Sequence, residues 1–184
     1  MPISMRNKAQ DRPWTFKEWV QGKPIGHPSH PMFVHFPIAF YLATLVFDIM
    51  SRLEPDAGLV RAGTYLLVGA ALSTVILVIT GLTDWVGMVR GSSKRRLATQ
   101  HMLVQVTSFL FFFMTLLIRW PNRSQPQAEM LWIVLEAIGY AIIAVGQYLG
   151  GVLVYEKAMR VSTGGAAREP DEDPARRPEA SRSR

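Results

Sequence analysis

The sequence predicts an all-α integral membrane protein, an up-down-up-down four-helix bundle, on three observations. Charge avoids four long stretches, each stretch is about as long as a bilayer core requires, and the connections between them are short. A spanning helix needs about 20 apolar residues, within a range of roughly 17–25. The stretches cover residues 33–50, 62–82, 97–118 and 130–155, and the last is long enough to tilt or project. A soluble domain of 184 residues would interleave charge with apolar residues at helical or strand period. This chain does not, although its hydrophobic share of 49% is only modestly raised. Short connections make consecutive helices antiparallel neighbours.

The elements follow in order. Residues 1–30 form an N-terminal cytoplasmic segment in which Thr15-Phe16-Lys17-Glu18 fits a capping box. With Trp14 and Trp19 it predicts a short helix lying on the membrane interface. Residues 1–26 carry positive charge without an apolar core, so no cleaved signal peptide is expected. Residues 31–160 form the transmembrane domain. Its first span holds His35 near the start and Asp48 near the end, and Pro37 marks either a kink or a first turn. The second span has no charged residue, the third has His101, and the fourth has Glu136. Trp85, Trp120 and Trp132 fall at span ends, where interfacial belts form. Residues 161–184 are rich in charge, Pro, Gly and Ser, and a disordered cytoplasmic tail is expected.

The net charge of +6 and the isoelectric point near 10.0 would suit a nucleic-acid partner. In a membrane protein, however, basic residues report orientation first. Of the 20 basic residues, 16 fall on the side of the N-terminus, the second loop and the C-terminus. Only Arg52, Arg61, Arg119 and Arg123 fall on the other side. Both termini are therefore expected in the cytoplasm of an inner-membrane protein, with the lipid bilayer as the principal partner. The tail balances its charges, so no nucleic-acid partner is expected. Zero cysteines exclude disulfides, thiolate-bound metal and thiol nucleophiles.

Polar groups in a bilayer are costly and face the bundle interior. At 100° per residue, His101, Gln105, Ser108 and Thr115 share one stripe of the third span. Gly69, Ser73, Thr80 and Asp84 form a stripe on the second, and Glu136, Tyr140, Gln147 and Gly150 form one on the fourth. On the first span His35 and Leu42 share a face, whereas Tyr41, Thr44 and Asp48 point the other way. Gly146 and Gly150 make a GxxxG pair suited to close helix approach, inside the bundle rather than at a dimer seam.

All four histidines, His27, His30, His35 and His101, lie toward the cytoplasmic side. His35 and His101 open spans one and three at similar depth. These spans are diagonal in a four-helix square, roughly 11–14 Å apart given neighbour spacings of 8–10 Å. That gap suits a haem b with His35 and His101 as axial ligands, and Asp84 could orient one of them as an outer partner. The residues leave three readings open. The first is haem binding for electron transfer or redox sensing with a redox protein partner. The second is a zinc, copper or iron site drawing on His27, His30, His35, His101 and Asp84. The third is a cofactor-free structural or accessory protein with a polar histidine cluster. On the opposite side, Asp48 and Glu136, with Arg61 and Arg119 close to the same interface, read as interfacial ion pairs or neutral carboxyls, or as a proton or ion relay. No internal repeat supports a transporter. No hydrolytic or transferase motif is present, so an enzyme is not expected.

Gly26-His27-Pro28-Ser29-His30-Pro31-Met32-Phe33-Val34-His35-Phe36-Pro37-Ile38-Ala39 resembles the N-terminal signature of a bacterial membrane-protein family, domain of unknown function 2231. Gly81-Leu82-Thr83-Asp84-Trp85, His101 and Gly150-Gly151-Val152-Leu153-Val154-Tyr155 are similar to it as well. The resemblance covers roughly residues 26–160. It implies a four-span inner-membrane protein without an assigned activity, some members being joined to or encoded beside redox proteins. It also implies that His27, His30, His35, Asp84 and His101 are motif positions.

Overall fold

Local sequence sets each boundary in the computed structural model, which describes residues 6–7 and 12–159. The expected tail over 161–184 lies outside the described residues. Strands β1 (Arg6–Asn7) and β2 (Arg12–Pro13) pair antiparallel ahead of α1 (Phe16–Val20). The capping box is present. Thr15 Oγ1 accepts from the Glu18 amide at 3.3 Å, and Glu18 Oε2 accepts from the Thr15 amide at 2.9 Å. A 3-10 turn over Lys23–Ile25 follows. It enters through Gly22 at φ +73°, where a Cβ would sit 2.0 Å from the His27 carbonyl oxygen. Only glycine fits that turn.

The first span is two helices, α2 (Ser29–Phe33) and α3 (His35–Leu53), divided at Val34. Pro37 explains the division. It has no N–H to donate to the Phe33 carbonyl, and its ring would clash with that oxygen. The other spans are α4 (Ala57–Val86), α5 (Ser93–Arg119) and α6 (Met130–Tyr155). Each of α4 and α5 begins on a side-chain cap. Asp56 Oδ1 accepts from the Gly58 amide at 2.7 Å, and Ser92 Oγ accepts from the Arg95 amide at 3.2 Å. α5 ends just before Pro121, in a 3-10 turn over Trp120–Asn122.

All four spans are long and apolar enough to cross a membrane. α4 and α5 start ahead of the predicted apolar stretches because Asp56 and Ser92 cap them, whereas α6 coincides with its stretch. At 1.5 Å per residue, the 30 residues of α4 run about 45 Å, well beyond a hydrocarbon core. Large apolar side chains such as Leu72, Leu103, Leu110 and Leu131 are exposed on the bundle exterior, as a lipid-facing surface requires.

The bundle is two tight hairpins, α3 on α4 and α5 on α6, closed by α4–α5 and α3–α6 contacts. The first and third spans are thus diagonal, as expected. Tyr41, Leu67, Ala70, Phe112 and Ile143 form the central core. Tyr41 of α3 stacks on Phe112 of α5 across the diagonal, with centroids 3.9 Å apart. The inward face of α3 is Tyr41, Thr44 and Asp48, while His35 and Leu42 are exposed. Gly146 and Gly150 both face α5, where a Cβ would meet Gln105 at 2.7 Å and His101 at 3.1 Å. The GxxxG pair therefore serves internal packing. Trp132 departs from the interfacial-belt expectation. It is buried in a second cluster with Val60 and Ala128.

Candidate functional site

Two polar layers lie at opposite ends of the bundle, separated by the apolar Tyr41–Phe112 core. At the far end from the N-terminus, α5 delivers Arg119 into the interior on its last turn. Arg119 Nη1 donates to Asp48 Oδ2 at 2.8 Å and to Glu136 Oε1 at 2.9 Å. Nη2 donates to Asp48 Oδ1 at 2.9 Å and to the Val60 carbonyl at 3.0 Å. The guanidinium of α5 therefore holds α3, α4 and α6 at once. Arg119, Asp48 and Glu136 are all completely buried. Trp132 covers the guanidinium at 5.0 Å, a cation–π distance. On the α4 side a Cβ at Gly63 would stand 3.0 Å from Asp48 Oδ1 and 3.1 Å from Arg119 Nη2, so glycine makes the room.

The expectation of separate interfacial ion pairs with Arg61 and Arg119 is corrected here. Arg61 is exposed, and one buried arginine serves both carboxylates. A guanidinium does this because its fork offers parallel donors in a fixed plane. The sequence signal was available. Arg119, at the end of an apolar span, lies on the Ser108–Thr115 stripe, the eleven residues from Ser108 being close to three helical turns. Neighbouring hydrogen bonds complete the end of the bundle. Ser51 Oγ donates to the Asp48 carbonyl at 2.7 Å and accepts from the Ala128 amide at 2.9 Å.

At the N-terminal end the histidines divide. His30 and His101 turn inward, whereas His27 and His35 are exposed. The expected His35–His101 ligand pair is therefore not assembled. Pro37 breaks the helix at Val34, and α3 turns Tyr41, Thr44 and Asp48 inward, which carries His35 to the outer face. His30, on α2, takes the inner position. Its Nδ1 lies 3.0 Å from Thr80 Oγ1. Thr80 Oγ1 is placed to donate to the Ile76 and Leu77 carbonyls, both at 3.1 Å, so it accepts from the imidazole. His101 Nδ1 donates to the Gly146 carbonyl at 2.8 Å. In neutral rings these bonds put the proton on Nδ1 and leave each Nε2 with its lone pair. His30 fits against Gly81 and His101 against Gly150. Asp84 is buried and lies within electrostatic reach of His30, as does His101. Among the described residues no group of three His, Cys, Asp or Glu side chains could hold a metal ion.

The N-terminal segment closes this end. Gln21 Nε2 donates to the Thr83 carbonyl at 2.9 Å, and Ser29 Oγ donates to the Val20 carbonyl. Arg12 grips Glu18 with both terminal nitrogens, at 2.8 and 3.0 Å. The Arg12 hydrogen bonds, followed by the Thr15 amide, hold the Glu18 carboxyl down to about 2. An open cleft of about 620 Å³ lies between this segment and the α4–α5 turn, with Lys17, Lys23, Lys94, Glu18 and Asp84 in its walls.

A family model described as "Predicted membrane protein (DUF2231)" matches residues 26–163. No curated protein and no solved structure matches the chain.

Proposed function

We propose, for a chain that belongs to the DUF2231 family of predicted membrane proteins, the role of a cofactor-free accessory scaffold in the bacterial inner membrane, with both termini cytoplasmic. The observation that carries it is the use made of the polar side chains. Arg119, Asp48 and Glu136 are consumed in tying four helices, and His30 and His101 each brace one helix against another from a glycine notch. The face left for a partner is the cytoplasmic end, where the basic cleft beside α1 opens. Phe16 and Trp19, both exposed on α1, suit an interfacial seat for that helix. The charge count supports the orientation. A periplasm-active reporter fused after Tyr155 is expected to be silent, and activity there would overturn the topology.

A second reading has its own observation, the two Nε2 lone pairs of His30 and His101. Bis-imidazole ligation of a haem b, with a redox protein as partner, needs only two such atoms, whereas a non-haem metal lacks a third ligand among the described residues. Against it, each imidazole is already packed on a glycine of a neighbouring helix, His30 on Gly81 and His101 on Gly150. An absorption spectrum of detergent-purified full-length protein, made with haem available, decides between the two. The scaffold reading expects no Soret band. A band that shifts on dithionite reduction, disappears in His30→Ala and His101→Ala, and persists in His35→Ala would replace it with the haem reading.

A further inference from the structure

The ionic layer does not balance. With both carboxyls ionised, Asp48 and Glu136 against Arg119 leave one negative charge at a site fully closed to solvent. The elements packed around it supply nothing further to neutralise it. α3 contributes Asp48 and the Ser51 hydroxyl, α4 the Val60 carbonyl, α5 Arg119, and α6 Glu136 and the Trp132 ring. Arg52 and Arg61 are exposed, and Arg123, four residues after Arg119, spends itself on the Trp120 carbonyl at 2.7 Å and the Trp120 ring.

The hydrogen bonds locate the imbalance. All four hydrogens on the two terminal nitrogens of Arg119 are spent, on Asp48 twice, Glu136 once and Val60 once. Asp48 has both oxygens satisfied. Glu136 has one, and its Oε2 is buried without a partner, as is the Arg119 Nε. A carboxylate oxygen sealed from water with no donor is among the most costly groups to bury, while a protonated carboxyl is neutral and can itself donate. The two carboxyl groups also accept from the same Arg119 nitrogen, Nη1, at 2.8 and 2.9 Å, which brings two like charges side by side and favours one proton between them.

We propose that the Asp48–Arg119–Glu136 cluster is a proton-binding site, holding one proton on Glu136 and leaving Asp48 as the ionised partner of Arg119. The two acids then have different roles although they touch the same guanidinium. Asp48 must be charged to balance Arg119. Glu136 must be neutral, and an amide in its place is close to an isostere of its resident form.

Infrared spectroscopy of the full chain in lipid vesicles at neutral pH tests this directly. The protein is expected to show the carbonyl stretch of a protonated carboxyl, shifted by deuterium exchange and absent in Glu136→Gln. Thermal unfolding of the same samples supplies a second readout. Glu136→Gln is expected to unfold within a few degrees of the parent, whereas Asp48→Asn is expected to lose roughly 10 °C or fail to fold, because it strands the arginine charge. A missing band in the parent, a band that survives in Glu136→Gln, or a Glu136→Gln protein as damaged as Asp48→Asn would each overturn the assignment.

Discussion

The two ends of the bundle solve the same problem, polar side chains inside a membrane helix, in opposite ways. At the N-terminal end His30 and His101 are half-buried, and each donates one hydrogen bond to a neighbouring helix. At the other end Arg119, Asp48 and Glu136 are fully buried and interlocked. The difference teaches where tolerance lies. A neutral ring at the edge of the bundle can be lost at the value of one hydrogen bond, about 1 kcal/mol. A charge in a sealed cluster cannot be removed without leaving another unpaired, which costs about 3–5 kcal/mol.

The largest expected effect is therefore Arg119→Leu, which leaves Asp48 facing Glu136 with no cation. It is expected to lower stability by about 3–5 kcal/mol, read as a lower thermal midpoint or loss of a monodisperse detergent peak. Arg119→Lys is expected to rescue little, since an ammonium cannot reproduce the bidentate grip. A smaller effect separates the layers through their glycines. Gly63→Ala drives a methyl against the Asp48–Arg119 pair and is expected to cost about 1–3 kcal/mol. Gly81→Ala meets only the His30 ring at 3.2 Å, which can swing away, and is expected to cost less than about 1 kcal/mol. Equal losses would break the contrast.

Smaller still is the histidine comparison. His101→Ala is expected to cost about 1 kcal/mol in thermal unfolding, and His35→Ala to stay within about 0.5 kcal/mol, because His35 faces outward. A larger loss at His35 would put that ring back inside the bundle. The smallest effect is local and pH-dependent. The folded Glu18 carboxyl titrates near 2, below its ordinary value of 4.5, so its contribution is fully present above about 4.5. It is lost as pH falls toward about 2. Hydrogen exchange at the α1 amides is expected to accelerate over that window while the spans stay protected, and Thr15→Ala is expected to accelerate it already at neutral pH.

Much of the fold was legible because the membrane leaves few alternatives. Apolar length identified four spans, short loops made neighbours antiparallel, and the Thr15–Glu18 spacing identified the α1 cap. The capping residues Asp56 and Ser92 explain why α4 and α5 start ahead of the apolar stretches. The site was less legible. His35 and His101 sit at similar sequence depth, but facing depends on rotation as well as rise, and His35 shares the face of Leu42, which α3 turns outward. Trp132 likewise sits at a span end by count and inside the bundle by rotation. Asp48 and Glu136 were visible as the acids within the spans. That one arginine serves both was not, since it depends on three helices meeting at a single fork.

The central claim is that Arg119 and Asp48 work as one unit that holds the bundle together. A double-mutant cycle with Asp48→Asn and Arg119→Gln, followed by thermal unfolding in detergent, measures that unit directly. The double variant is expected to be less damaged than the sum of the two single variants by at least about 1.5 kcal/mol, because each single change strands the other charge. Losses that add to within about 0.5 kcal/mol would mean the two residues act independently, and would contradict the claim.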